Sequence, residues 1–316
     1  MAARPLETYA MSELKTAATE GPVETIQYRE GYLETRGVKL FFKITGNGPS
    51  LLILHGGPGA SLDYLWEPLL PLANVRTLIF FDQRGCGRSG KNAIGTSYTW
   101  DSMVEDVEFV RQSLRLGRLD ILGHSFGGLL AQSYAVAYPG NVRSLLLVAT
   151  ASSIRSVNAD LKRVKESAAP ETRLRLEALE TLGIYGPDGA QRPEYRRLAD
   201  EALMPYIYID KAPSPTFPSH DYAWDVMRDI WGSDSEFECS GDVRDLDLVP
   251  QLRTLSIPAI VIYGDHDIVT DATARETKAA LKGSTAVRVA GAAHEVYVDQ
   301  PEKFLEAAQA FLSQSF

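Results

Sequence analysis

The sequence predicts an α/β fold, a mostly parallel sheet with helices on both faces and an inserted helical cap. Two observations carry this. Six short apolar runs alternate with stretches of helical pattern, the signature of parallel strands joined by crossover helices. The alternation then stops between about residues 152 and 251, where the chain becomes charged and helix-rich before turning to proline and aromatics.

Taken in order, residues 1–28 are polar and show no strand pattern. They are expected to form an N-terminal arm, in which Met11–Lys15 could begin a short helix. Gly31–Thr35 and Lys39–Lys43 read as two strands joined through Arg36-Gly37, residues suited to a hairpin turn. Leu51–Leu54, after a Gly46-Asn47-Gly48-Pro49 turn, is continuously apolar, as a strand buried on both faces must be. Thr77–Phe81, Leu119–Leu122, Leu145–Val148 and Ala259–Tyr263 repeat that pattern, and Thr285–Val289 repeats it more weakly. Helices are expected at Leu62–Leu72, Thr99–Leu116, Phe126–Tyr138, Ala272–Leu281 and Pro301–Leu312. The resulting division is an arm (1–28), a core (29–151 and 252–316) and a cap (152–251). Within the cap, Met204–Tyr208 and Ala212–Pro218 form the aromatic and proline-rich segment.

Composition narrows the function classes. The formal net charge is −9 and no lysine- or arginine-rich stretch stands out, which argues against nucleic acid as a partner. No apolar run approaches the roughly 20 residues of a membrane helix. Met1–Glu7 lacks the apolar core of a signal peptide, so a cytoplasmic location is expected. Cys86 and Cys239 lie outside any C-x-x-C pair; two free thiols are expected, with a disulfide left open by the sequence. The five histidines have no zinc spacing, and neither a metal nor a cofactor is expected.

The chemistry is carried by Gly123-His124-Ser125-Phe126-Gly127, a G-x-S-x-G segment between an apolar strand and a helical stretch. In that setting the motif is a nucleophile elbow, whose sharp turn lifts the serine hydroxyl out of the sheet. A hydroxyl needs a base beside it and a third group to orient that base. The chain order of such sites is serine, acid, histidine, each after a strand. Gly264-Asp265-His266-Asp267 follows the fifth apolar run and offers two acids, while His294 follows the sixth. His124 adjoins Ser125, but neighbouring side chains at such a turn point different ways, so packing or lining is expected of it. The glycines of His55-Gly56-Gly57-Pro58-Gly59 allow the backbone to approach substrate closely, with Gly56 in contact. The Gly57 and Phe126 N–H groups are the expected oxyanion donors. Asp82 and Arg84 are expected to pair and brace these loops.

Together, His55–Gly59, Asp82–Ser89, Gly123–Gly128, Gly264–Asp267 and His294 resemble the proline iminopeptidase branch of the α/β-hydrolase superfamily, from about residue 30 to the C-terminus. The resemblance implies that the acid is Asp267, three residues after the glycine, with Asp265 in reserve. It also implies cap carboxylates that grip the free α-amino group of a substrate. Glu236, in Trp231–Phe237, matches one, and Glu201 is the candidate for a second. The expected activity is a serine hydrolase releasing proline or another small apolar residue from the N-terminus of peptides or amino-acid amides through an acyl-enzyme. The alternatives are a carboxylesterase with the same triad and a binding protein with slow turnover. The expected partner is a small molecule or short peptide with a free N-terminus; the oligomeric state is not specified.

Overall fold

The computed structural model describes residues 15–18, 25–35, 37–183, 192–209 and 222–314. Among the described residues, nine strands form one sheet in the order β1-β2-β3-β5-β4-β6-β7-β8-β9. They are β1 (Lys15–Ala18), β2 (Thr25–Thr35), β3 (Val38–Thr45), β4 (Ser50–Leu54), β5 (Thr77–Phe81), β6 (Leu119–His124), β7 (Val142–Val148), β8 (Ala259–Gly264) and β9 (Thr285–Val289). The pairs from β1 to β3 and the β3–β5 pair are antiparallel; every pair from β5 to β9 is parallel. β2 and β3 pair up to Thr35 and Val38, and Gly37 between them has φ 84°; Arg36, the other residue of the expected turn, lies outside the described residues.

Strand periodicity explains the two-sided core. Leu52 and Leu54 of β4 and Ile79 and Phe81 of β5 belong to one buried cluster, whereas Leu51, Ile53, Leu78 and Phe80 belong to another. Alternate residues of a strand face opposite sides, so the clusters occupy the two faces of the sheet. Helices α2 (Trp100–Ser113), α3 (Phe126–Ala137) and α9 (Asp271–Ala280) contribute to the first; α1 (Asp63–Leu69) and α11 (Pro301–Leu312) contribute to the second. Helix starts follow their capping residues. Thr99 and Thr270 accept the Ser102 and Thr273 N–H groups, offsetting donors that a first turn leaves unpaired.

Between β7 and β8 the described residues form α4 (Ile154–Ser167), α5 (Pro170–Thr181), α6 (Arg192–Ile207), α7 (Trp224–Ile230) and α8 (Val249–Leu252). This helical insertion leaves and rejoins the sheet at one place. The Ile154 N–H donates to Leu246 and the Leu248 N–H to Ser152, both at 2.9 Å. Its interior residues Leu161, Leu176 and Tyr195 extend the first cluster.

One difference from the sequence reading lies at the N-terminus. Lys15–Ala18, placed there in an arm without strands, pairs with Thr25–Tyr28 at the sheet edge. The segment carries no alternation to announce it because an edge strand needs only backbone partners, here reinforced by the Lys15–Glu30 ion pair. Met11–Leu14 and Ala212–Pro218, singled out above, lie outside the described residues.

Candidate active site

The topology fixes where a site forms. β4 lies between β5 and β6, so the chain reverses its direction of travel across the sheet there. Open parallel sheets form a crevice beyond the carboxyl ends of their strands at such a point. The glycine loop after β4 and the elbow after β6 both open into it.

The elbow has the strained geometry its sequence requires. Ser125 sits at φ 53°, ψ −123°, a conformation that costs a non-glycine residue and persists because its surroundings hold it. Its N–H donates to Val148 C=O at 2.9 Å; its own C=O accepts from Gly128 N–H at 2.9 Å and Thr150 Oγ1 at 2.7 Å. A Cβ on Gly127 would lie 2.2 Å from the Leu54 carbonyl oxygen, and one on Gly123 would lie 2.5 Å from that of Gly127. Only glycine permits this crossing of helix and strand.

His294 Nδ1 lies 2.7 Å from Asp267 Oδ1, and both residues are buried. The same oxygen accepts the Val269 N–H at 3.0 Å, and Oδ2 accepts the Gly264 N–H at 3.4 Å. Asp265 is turned away: its Oδ1 accepts the Gly291 and Ala292 N–H groups and so shapes the loop that carries His294. Ser125 and His294 line one cavity of about 180 Å³, together with Gly56, Gly57 and Phe126. The Phe126 ring packs edge-on against Trp100, with ring centroids 5.0 Å apart. The Phe126 N–H belongs to the first turn of α3, where a helix offers no internal acceptor. Gly57 has φ 118°, and a Cβ there would lie 2.7 Å from the Gly59 nitrogen.

His124 lines the cavity as part of a hydrogen-bonded chain. The Gly56 N–H donates to Tyr64 Oη at 2.5 Å, and Tyr64 Oη lies 2.8 Å from His124 Nδ1. His124 Nε2 is 3.3 Å from the His294 carbonyl oxygen. With that oxygen as acceptor, Nε2 carries the proton and Nδ1 receives the Tyr64 hydroxyl proton, leaving Tyr64 Oη to accept from Gly56. Burial, followed by the positive potential of His294, holds the His124 ring well below its usual pKa, against the hydrogen bond to that carbonyl. A neutral ring fits the chain.

The helical insertion is tied to the same loops. The Tyr206 and Ile207 carbonyls, at the end of α6, accept the His294 and Glu295 N–H groups at 3.0 and 3.1 Å. Arg163 of α4 donates to the Asp267 and Ile268 carbonyls at 3.2 and 3.1 Å and stacks over the Tyr206 ring.

Two expectations need correction. Asp82 and Arg84 do not pair. Asp82 accepts the Leu62 and Arg88 N–H groups, both at 2.8 Å, while Arg84 forms a two-pronged pair with Asp106 of α2 at 2.7 and 2.5 Å. Both still brace the loops, but with partners the spacing could not reveal. Glu201 lies on the outer side of α6, 52% exposed, bonded to Thr172 and paired with Arg197. A residue turns the helix by about 100°, and it is Asp200, one position earlier, that lines the cavity.

Glu236 does line the cavity. It is buried and meets Arg196 Nη1 at 2.7 Å, while Arg196 Nη2 meets Asp200 Oδ1 at 2.7 Å. The Arg196–Asp200 spacing of four residues was a legible helical pair. Glu295, beside His294 in sequence, also lines the cavity and was not singled out. The two cysteines are free and buried. No helix among the described residues is long and apolar enough to cross a membrane.

Comparison with known proteins agrees with this fold. A family profile described as alpha/beta hydrolase fold matches residues 49–301. The chain is 29% identical over 299 residues to a proline iminopeptidase of Saccharolobus solfataricus, covering 92% of this chain and 94% of that one. It is 29% identical over 293 residues to another from Heyndrickxia coagulans, covering 90% and 99%. In structure it is similar to VinJ (TM-score 0.81, 21% identity, covering 90% of this chain and 97% of that one). It is also similar to the proline iminopeptidase of Mycobacterium smegmatis (TM-score 0.75, 24% identity, the same coverages).

Proposed function

The chain belongs to the alpha/beta hydrolase fold family and is a hydrolase, and from that premise we propose that it is a serine aminopeptidase or amino-acid amidase releasing proline or a similarly compact N-terminal residue. The observation that carries the catalytic part is the 2.7 Å His294–Asp267 contact in the cavity shared with the strained Ser125. Ser125 Oγ attacks the scissile carbonyl carbon as His294 Nε2 takes its proton. The Phe126 and Gly57 N–H groups hold the oxyanion. The C–N bond then breaks, and His294 returns the proton to the leaving amine. Water, activated by the same imidazole, releases the acyl group and restores Ser125. Residues 152–251 act as a cap over the core of 29–151 and 252–316.

The amine preference is supported by the charge of the cavity wall. Asp200 and Glu236 share one cation, Arg196, and Glu295 lines the same cavity, so the wall holds more acids than that arginine can pair and suits a substrate cation. An N-terminal amine, with a pKa near ~8, supplies it at neutral pH. The names of the two curated relatives agree with that choice. Removing one partner of a buried charged pair costs roughly 2–5 kcal/mol. Acetylating the amine of a proline arylamide is therefore expected to lower kcat/KM at least ~30-fold. Equal rates on the free and acetylated compounds would reject amine recognition. Turnover confined to a p-nitrophenyl ester would make the protein an esterase.

Tyr64 positions the oxyanion loop in this scheme. Tyr64→Phe strips the buried Gly56 N–H of its acceptor, a loss worth about 1–3 kcal/mol. It is expected to lower kcat roughly tenfold or more with little change in KM. A change in KM alone would assign Tyr64 to ground-state binding instead.

A further inference from the structure

We propose that Glu295 is the group that receives the substrate's ammonium, the direct contact within a wall whose other acids are already held by an arginine. The proposal rests on the aminopeptidase reading above and specifies which residue of the site touches the amine.

Three acids line the cavity: Asp200, Glu236 and Glu295. The first two meet opposite sides of the Arg196 guanidinium at 2.7 Å, so a second cation approaching either one also meets that guanidinium. Asp200 Oδ1 makes no hydrogen bond but has its ion contact with Arg196. Glu295 has neither among the described residues: it is 1% exposed, and its Oε2 has no hydrogen-bond partner. A buried carboxyl oxygen without a partner is costly to a fold; a substrate donor that supplies the partner gives the oxygen a purpose. The three acids and Arg196 share one neighbourhood, for all four line the cavity together with the partly buried Tyr222. The Glu295 backbone is fixed by its N–H bond to Ile207 at the end of α6, and the residue lines the same cavity as His294.

The groups facing Glu295 set its resting state. Asp267 follows β8, and Asp299 ends the short helix α10 (Val296–Asp299). The phenols of Tyr64 on α1, Tyr208 beyond α6 and Tyr222 before α7 complete the surroundings. Burial first, then the two aspartates, push the Glu295 carboxyl well above its usual range. That shift favours the neutral acid in the empty cavity, which adds no second anion beside the His294–Asp267 pair. When a cationic amine docks, the carboxyl O–H bond breaks, its proton passes to solvent, and a carboxylate–ammonium pair remains. One proton is released for each ammonium bound.

Two measurements test this. The first is the ratio of kcat/KM for proline arylamide over its N-acetyl counterpart in the wild type, Glu295→Gln and Glu236→Gln. Taking the ratio cancels any disturbance of His294 common to both substrates. Glu295→Gln is expected to reduce the ratio at least about tenfold, and more than Glu236→Gln does. Collapse in Glu236→Gln with the ratio kept in Glu295→Gln would overturn the proposal while leaving the aminopeptidase reading intact. A wild-type ratio near one would overturn both. The second is calorimetry of proline arylamide binding to the Ser125→Ala protein, in two buffers of different ionisation enthalpy near neutral pH. About one proton released per ligand bound is expected; no release overturns the proposal even if Glu295→Gln cannot be folded.

Discussion

Ser125→Ala is expected to lower kcat by about five to six orders of magnitude, the scale seen when the nucleophile of a serine–histidine–acid unit is removed. Folding should be unaffected, because the elbow is held by backbone bonds that alanine retains: the N–H to Val148 and the C=O to Gly128 and Thr150. Substrate should still bind, since only the attacking oxygen is lost. In the proposed triad the three residues act as one unit, so Ser125→Ala combined with His294→Ala should lose little more than either alone. Single-turnover assays with an arylamide measure both. A residual rate within a hundredfold of the wild type would remove Ser125 from the chemistry.

The second large effect is expected at Asp267. Its Oδ1 faces His294 Nδ1 and also accepts the Val269 N–H, while Oδ2 faces the Gly264 N–H. All three neighbours present donors, which suits a carboxylate that accepts only. Asparagine has one acceptor oxygen and one NH2. An NH2 turned to the imidazole reverses the tautomer, leaving Nε2 protonated and unable to take the serine proton. Asp267→Asn is expected to reduce kcat by roughly 10⁴, as the same change does in the chymotrypsin-type triad, with the melting temperature as a control for the two loop bonds. A loss below tenfold would make Asp267 a loop brace only. Asp265→Asn serves as the comparison, because its bonds to Gly291 and Ala292 act on the His294 loop without touching the imidazole.

What the sequence disclosed follows the range of the forces involved. The apolar runs at Leu51–Leu54 and Leu119–Leu122 were readable because burial on both faces removes every polar choice over four consecutive positions. The elbow was readable because Gly123 answers a clash with Gly127 and Gly128, only four and five residues on, whereas the Gly127 clash comes from Leu54 and His55 at the end of β4. Asp267 could not be separated from Asp265 by spacing alone, since the choice turns on which loop each carboxylate faces. Side chains whose partners come from distant elements were not readable. Arg84 reaches Asp106, 22 residues away, in place of Asp82. Glu201 was one residue out of phase with Asp200 because the rotational setting of α6 depends on its packing. Glu295 passed unnoticed although it adjoins His294, because a lone carboxylate becomes conspicuous only when burial leaves it an unpartnered oxygen. Lys15–Ala18 stayed hidden for the opposite reason, as an edge strand joined through its backbone.

The bonds from His294 and Glu295 to the last carbonyls of α6, with those from Arg163 to Asp267 and Ile268, bear on how such an enzyme can be diversified. The helical insertion joins the sheet through a narrow neck at Ser152–Ile154 and Leu246–Leu248, which invites its exchange as a cassette. A graft cut at that neck would also discard the acceptors of the His294 and Glu295 N–H groups and the donor to the Asp267 and Ile268 carbonyls. A productive chimera has to carry the end of α6 and Arg163 together with the loops around Asp267 and His294, as a single inherited block. New substrate ranges are then more accessible through point changes on the inner faces of α6 and α7 than through wholesale replacement of the insertion.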